Sequence, residues 1–306
     1  MTPSPFYVVM ATAGQETELE ATLASLAKCL KPDQYQATLV VENGMKHAAQ
    51  AMVEQSNPAL QAQYLFFTKG NKSAALNYAL QQIPDEALIF FIDDDVQLDP
   101  RVLVAYQQAC LEKGRRTYFG GPTFAIYEKE PPAWFIPALP ASAQGWQPQG
   151  DDDYLRTPRF LGFNWAAYSG DIKVLGGFNE NLGPGTKPKR TGQEWNMQER
   201  MLAEGFEAVY VEDARVWHFI PESKSTFGWF IKRRFQGGLG AGMSFVEKQG
   251  KKAFPINLIK YLIKAYLLLP WRILSLSPTN IAIGLGNISA GWGRIKGFFT
   301  AYFFKR

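Results

Sequence analysis

Asp93, Asp94 and Asp95 end the stretch ALIFFIDDDVQLDP, and Asp99 follows shortly after. An apolar run that stops on three like charges needs something to offset their repulsion. Alternate side chains of an extended chain point the same way, so Asp93 and Asp95 converge while Asp94 faces elsewhere. Hard carboxylate oxygens suit a divalent cation such as Mn2+ or Mg2+, and such a cation commonly bridges a diphosphate. A solvated turn is the plain alternative, because aspartates are frequent in turns. Rival readings fail on position. A calcium loop of the EF-hand type needs glycine sixth and glutamate twelfth, where Leu98 and Val104 stand. A phosphatase of the haloacid-dehalogenase type needs threonine or valine where Gln97 stands. The chain has neither a G-x-G-x-x-G fingerprint nor a G-x-x-x-x-G-K-[S/T] loop.

The elements around the cluster alternate. FYVVMA (6–11), ATLVVEN (37–43), QYLFFT (63–68) and ALIFFID (87–93) read as strands. Between them come helical patterns: ETELEATLASLAKCL, MKHAAQAMVEQ and NKSAALNYALQQI (71–83), the last capped by Asn71 or Ser73. PRVLVAYQQACLEKG (100–114) continues the alternation with Pro100 at its start. This order predicts a parallel sheet with helices on both faces and ALIFFI as a central strand. Ligands of such sheets bind beyond the C-terminal ends of the strands, where the acidic cluster lies. Further on, 117–127 reads as one strand and 131–158 as a long Pro/Gly/Trp loop. Residues 159–180 read as a strand and a short helix, 183–193 as a mobile loop, EWNMQERMLAEGF as a helix and 207–213 as a strand.

Composition bounds the rest. The chain has 306 residues, 46% hydrophobic and 20% charged, enough for a sizeable core. Its two cysteines, Cys29 and Cys110, imply no disulfide framework. The N-terminal residues lack a basic segment followed by a long apolar one, so no signal peptide is expected. The net charge of +4 conceals an asymmetry: residues 224–306 hold fourteen Lys and Arg against one acid, Glu247, or +13, leaving −9 elsewhere. FPINLIKYLIKAYLLLPWRILSL is long enough to cross a bilayer. It carries Lys260, Lys264, Arg272 and Pro270, however, the pattern of a helix lying in a membrane interface. A helix packed on the protein's own core is the alternative.

From about Phe6 to Gly238 the sequence resembles the family-2 glycosyltransferases of GT-A fold. FYVVMATAG is similar to the first strand and nucleotide-contacting turn, which implies donor contacts for Ala11 and Thr12. LVVENG places Glu42 where the family has an Asp facing the base or ribose. GNKSAALNYAL is similar to the G-x-x-x-A-x-N helix, with Lys72 near the nucleotide or simply exposed. FIDDDVQLDP resembles the D-x-D strand end. GFNWAAYSGDIKVLGGFNENLG resembles the acceptor-side segment, bringing in Asn164 and Trp165. TGQEWNMQERMLAEGF stands where the family has its Glu-Asp motif, and ARVWHFIP where it has a late histidine.

The resemblance implies roles. Asp93 and Asp94 would contact the nucleotide sugar, and Asp95 and His218 would hold the Mn2+ or Mg2+. For His218 a satisfied strand-end histidine remains open. Glu194 would be the general base of an inverting transfer, taking the proton of the acceptor hydroxyl; Gln193 stands where an acid is usual. Lys187, Lys189 and Arg190 would either close over the diphosphate or stay solvated. Arg233 and Arg234 would meet a phosphate or begin a basic membrane face.

The expected architecture is α/β, a GT-A domain over 1–245 with a nucleotide half to about 115 and an acceptor half from 116. A basic, apolar helical tail would occupy 246–306. The expected activity moves a hexosyl group from a nucleoside diphosphate sugar to a saccharide or lipid-linked saccharide, for exopolysaccharide or surface glycan. The protein is expected in the cytoplasm, peripheral on the inner face of the plasma membrane through an anionic surface, with no nucleic acid as partner. The alternative is a catalytically silent GT-A domain that binds glycan through Trp134, Trp146 and Trp165. A nucleotidyltransferase would need a Gly-rich N-terminal loop that ATAGQETELE does not supply.

Overall fold

The computed structural model describes residues 3–14, 16–148, 160–186, 190–250 and 255–304. The elements in chain order are β1 (Phe6–Thr12), α1 (Glu16–Ala27), β2 (Tyr35–Asn43), α2 (Gln50–Glu54), β3 (Ala62–Phe67), α3 (Lys72–Leu80), β4 (Leu88–Ile92), β5 (Val96–Leu98), α4 (Val102–Lys113), β6 (Thr117–Gly120) and β7 (Thr123–Tyr127). There follow α5 (Ala141–Gln144), β8 (Gly145–Trp146), β9 (Trp165–Tyr168), α6 (Ser169–Val174), α7 (Gln193–Ala203), β10 (Glu207–Tyr210), β11 (Val216–Ile220), α8 (Phe227–Gln249), α9 (Ile256–Leu274) and α10 (Pro278–Phe304).

Two compact units result. The first comprises residues 1–126, 145–186 and 192–219. Its main sheet has the order β10-β6-β9-β4-β1-β2-β3. β1 pairs in parallel with β2 and β4, β2 with β3, and β6 with β10, while β9 runs antiparallel between β4 and β6. The expected α/β class with a mostly parallel central sheet is what forms. Every residue of β4 is buried, as its unbroken apolar run required. Ile89 and Phe91 pack with Ala75, Leu76, Met197 and Met201 on one face. On the other, Phe90 meets Tyr106 of α4 with ring centroids 4.9 Å apart. Burying each such side chain contributes roughly 1.5–3 kcal/mol.

The expected single strand over 117–127 is in fact two, in different sheets. β6 belongs to the main sheet; β7 joins a second sheet of order β5-β11-β7-β8. The break falls at Gly120, Gly121 and Pro122. A Cβ on Gly121 would lie 2.0 Å from the Ala214 carbonyl oxygen, so only glycine admits that close approach. Pro122, lacking an N–H, cannot extend a ladder.

The second unit comprises 127–144, 187–191 and 220–306. The boundary expected at 245 therefore falls inside α8, a 23-residue helix that the sequence reading missed. α8 and α10 run in the same direction along a seam of glycines. A Cβ on Gly238 or Gly242 would lie 2.1 or 2.0 Å from a carbonyl oxygen of α10, and one on Gly293 or Gly297 2.1 Å from a carbonyl oxygen of α8. Each helix offers a G-x-x-x-G pair, which lets backbones touch. α9 packs on α10 but leaves Ile263, Leu267, Trp271 and Leu274 exposed. Among the described residues no helix is long and apolar enough to cross a membrane.

Candidate functional site

The acidic turn is where the chain leaves one sheet for the other. β4 ends at Ile92 and β5 starts at Val96, so residues 93–95 are the crossing. Thr22 of α1 pins it. Its hydroxyl accepts from the Val96 N–H at 3.0 Å and lies 2.9 Å from the Asp94 and Val96 carbonyl oxygens, to which it donates. Such a buried, fully used hydroxyl fixes the backbone from which the three carboxylates project.

β11 pairs antiparallel with β5 and sets His218 opposite Val96. Nε2 of His218 thereby stands 3.1 Å from Oδ1 of Asp95, and both residues are buried. The imidazole stacks on Phe163, with centroids 4.5 Å apart and planes at 17°. Two adjacent ligands of an octahedral cation, each bound at about 2.1 Å, stand about 3 Å apart. The Asp95–His218 pair thus fits two positions of a Mn2+ or Mg2+ site in donor type and spacing. Among the described residues no cluster of three or more His, Cys, Asp or Glu could hold a metal alone. The remaining ligands would have to come from water and substrate phosphate, the usual arrangement for Mg2+.

Asp93 forms an ion pair with Lys72, at the first turn of α3. Asn71 caps that helix, accepting from the Ala74 N–H at 3.0 Å. Burial alone would lower the Lys72 pKa. The charge and hydrogen bond of Asp93, with the charges of Glu194 and Asp94, outweigh it and raise the pKa instead. Asp94 accepts from the Thr12 hydroxyl at 2.5 Å. Burial pushes its carboxyl up to about 6; the Thr12 hydrogen bond opposes the rise, and Asp93 and Asp95 add to it. Ala11 lies buried in β1 just before Thr12.

Glu194 lies in the uncapped first turn of α7, entered through Gly192 in the left-handed region at φ +92°. Its carboxyl rests over Gly162, where a Cβ would come within 3.1 Å of Cδ. Lys72 feels its charge together with those of Asp93 and Asp94. Gln193 is buried, with its side-chain oxygen against Gly183. A carboxylate there would lose its hydration, so a neutral amide at 193 follows from packing.

Other expected contacts are placed differently. Glu42 does not face a ligand: it is 1% exposed and accepts from the Ala48 and Ala49 N–H groups at 3.0 and 2.9 Å and from the Tyr64 hydroxyl at 2.9 Å. It organises the turn into α2. Asn164 is wholly buried, donating to the Pro122 and Ala214 carbonyls at 3.0 and 2.8 Å and accepting from the Tyr106 hydroxyl at 2.7 Å. Trp165 stacks on Phe91 in the core, 4.8 Å between centroids. Neither offers a face to an acceptor, and Trp165 offers none to a bound glycan. Arg190 is no solvated lid residue; its guanidinium is buried and paired with Glu247. Arg234 donates to Asn287. Lys187 and Lys189, with 149–158 of the Pro/Trp loop, lie outside the described residues. The sequence reading missed Thr22 and Phe163. Both act on residues far away in sequence, and no local motif marks them.

The comparisons with known proteins agree with this fold. Residues 3–137 match the family model described as "Glycosyltransferase like family 2". The chain is 27% identical to the succinoglycan biosynthesis protein ExoM of Rhizobium meliloti (strain 1021) over 239 residues, 76% of this chain and 72% of that one. Among solved structures it resembles the mannosyltransferase PcManGT from Pyrobaculum calidifontis in complex with GDP-Man and Mn2+. The TM-score is 0.60 at 16% identity, covering 100% of this chain and 89% of that one. It also resembles S. aureus TarS 1-349 in complex with UDP-GlcNAc, with a TM-score of 0.55 at 13% identity, covering 94% and 90%. The resemblance to the family-2 glycosyltransferases and the GT-A fold read from the sequence both stand.

Proposed function

We propose that the chain is an inverting glycosyltransferase that moves a hexosyl group from a nucleoside diphosphate sugar to a hydroxyl of a saccharide or lipid-linked saccharide. The observation that carries this reading is the pairing of Asp95 with His218 at the sheet crossing, beside a Lys72 that carries the fields of Asp93, Asp94 and Glu194. The ligands named for PcManGT and TarS, both nucleotide sugars, support the donor class. The relative in succinoglycan biosynthesis supports exopolysaccharide or surface glycan as the product.

The residues divide the work. Asp94 lies on the donor side, oriented by the hydroxyl of the buried Thr12. Asp93 and Lys72 hold one another in place, and Lys72 adds positive charge for a diphosphate. Asp95 and His218 would hold Mn2+ or Mg2+, which would supply Lewis-acid stabilisation of the leaving diphosphate. Glu194 takes the acceptor proton, as a carboxylate within reach of a hydroxyl can. Turnover of UDP-, GDP- and dTDP-sugars with Mn2+ tests the reading. Failure of every nucleotide to raise thermal stability would overturn it, since a ligand bound only by the folded state must stabilise it.

The second unit takes an anionic membrane as its partner, at the inner face of the plasma membrane. Residues 255–304 contain no Asp or Glu, and Lys260, Lys264 and Arg272 share α9 with its exposed apolar side chains. Full-length protein should sediment with anionic vesicles, and Leu267→Ser with Trp271→Ser should weaken this. Indifference of the full-length chain to such vesicles would end the idea.

A further inference from the structure

We infer that Arg234 and Arg294, bridged by Tyr261 and Asn287, form an anion site within the second unit that takes a terminal phosphate carried by a membrane lipid; the inference rests on the reading of that unit as membrane-facing. The four residues come from its three long helices: Arg234 from α8, Tyr261 from α9, Asn287 and Arg294 from α10. The Arg294 guanidinium lies over the Tyr261 ring, 3.8 Å from its centroid. The Tyr261 hydroxyl donates to Oδ1 of Asn287 at 3.4 Å, and Nη2 of Arg234 donates to the same oxygen at 2.5 Å. The stem of Arg234 runs beside Gly286, where a Cβ would stand 3.3 Å from its Cγ.

Neither arginine has a carboxylate partner among the described residues, and Nε of Arg294 is buried without a hydrogen-bond partner. The three helices hold one acid, Glu247, and both its oxygens accept from Arg190 at 2.8 Å. Burial lowers the Arg294 pKa; Tyr261 opposes the fall, and the positive charge of Arg234 adds to it. The two guanidinium groups therefore feel one another in a partly desolvated place, where a cation gains most from an anion. An aromatic ring under a guanidinium returns part of the lost hydration but none of the missing negative charge. Guanidinium forks match phosphate oxygens, and two of them suit a doubly charged terminal phosphate better than a singly charged group. The same helices carry apolar surface: α9 exposes Ile263, Leu267, Trp271 and Leu274, and α10 exposes Trp292 and Phe299. A phosphate attached to hydrocarbon answers both features at once, which free phosphate does not.

Vesicle sedimentation of the full-length chain in EDTA tests this. Phosphatidylcholine vesicles carry either phosphatidic acid, which ends in a phosphate monoester, or phosphatidylserine, adjusted to equal surface charge. Wild type should bind the phosphatidic acid vesicles about tenfold more tightly. Arg234→Gln and Arg294→Gln should each bring that ratio to within about twofold of one, while phosphatidylserine binding stays within about fivefold of wild type, the scale of one lost surface cation. Arg294→Lys, which keeps the charge but loses the fork, should give an intermediate ratio. Lys260→Gln removes an exposed cation of α9 and should weaken both vesicles alike, leaving the ratio in place. In parallel, inorganic pyrophosphate should raise the Tm of wild type more than that of Arg294→Gln. Equal binding of wild type to the two vesicles overturns the lipid-phosphate site and leaves the membrane reading standing. A preference that survives in both arginine variants overturns the assignment of these residues. Binding to neither vesicle ends the membrane reading. Protection by pyrophosphate through Arg294 in that case assigns the site to free phosphate and overturns the lipid source; its absence overturns the site altogether.

Discussion

His218 and Asp95 reach one another because β5 and β11 pair antiparallel immediately past the point where the chain changes sheets. The 3.1 Å between Nε2 and Oδ1 is set by backbone register, with Thr22 holding one side of the turn and Phe163 stacked under the imidazole. If this pair holds the cation, Asp95→Ala should lower transfer by about a hundredfold or more, the scale of losing a principal electrostatic stabiliser of the transition state. His218→Ala should be milder and should raise the Mn2+ concentration needed for half-maximal rate. Metal titrations of initial rate check both.

Glu194→Gln keeps the shape of the side chain over Gly162 and removes its basicity. Transfer should fall about 10²- to 10⁴-fold, the range for loss of a general base. Donor binding, followed by thermal shift, should stay within a few-fold of wild type. A variant that loses donor binding to the same degree would assign Glu194 to binding and not to proton transfer.

Asp94 gives the metal-free protein a pH dependence of defined sign. Its folded pKa, about 6, lies above its ordinary value of 3.8, so the group favours the folded state in its protonated form. That contribution is complete below the unfolded value and is lost as pH rises through about 6, by at most about 3 kcal/mol. In EDTA, stability to urea should therefore carry a falling component between about pH 4 and 6.5, and Asp94→Asn should flatten it. Added cation favours the ionised carboxylates and should reduce the slope.

Two glycines of α8 should respond in opposite directions to alanine. At Gly242 the new methyl would meet the Arg294 carbonyl oxygen at 2.0 Å, and the helices must part to admit it. A loss of about 1–3 kcal/mol is expected. Gly237 faces open space, and alanine there should stabilise by about 0.5–1 kcal/mol through helix propensity. Urea melts of the two single variants make the comparison.

Much of the first unit was legible because its signals are local. Unbroken apolar runs gave β1, β2 and β4, and the charge cluster after Phe91 and Ile92 marked the sheet edge. Signals that need a partner were not legible. Glu42 reads as a ligand-facing acid until the N–H groups of Ala48 and Ala49 claim it. Asn164 and Trp165 lie in a motif-bearing segment yet point inward, because the core needs an amide to satisfy two carbonyls and a ring to cover Phe91. Arg190 looks like part of a solvated basic loop until Glu247, distant in sequence, neutralises it. The break at Gly120 and Gly121 did carry a signal. Two glycines and a proline inside an apparent strand mark a change of sheet, and the apolar residues on either side obscured it.

The seam between α8 and α10 has a consequence for where the second unit can work. Contacts between glycine backbones draw on dispersion and on Cα–H groups facing carbonyl oxygens, and neither depends on expelling water. A helix pair held only by greasy side chains loses its reason to associate once hydrocarbon surrounds it. One held by interlocked backbones keeps the same adhesion in oil as in water. The part of the chain that presents Leu267 and Trp271 outward is therefore braced by a seam in which these backbone contacts work beside the buried cluster of Leu239, Met243, Val246 and Phe298, and only the cluster's share depends on water.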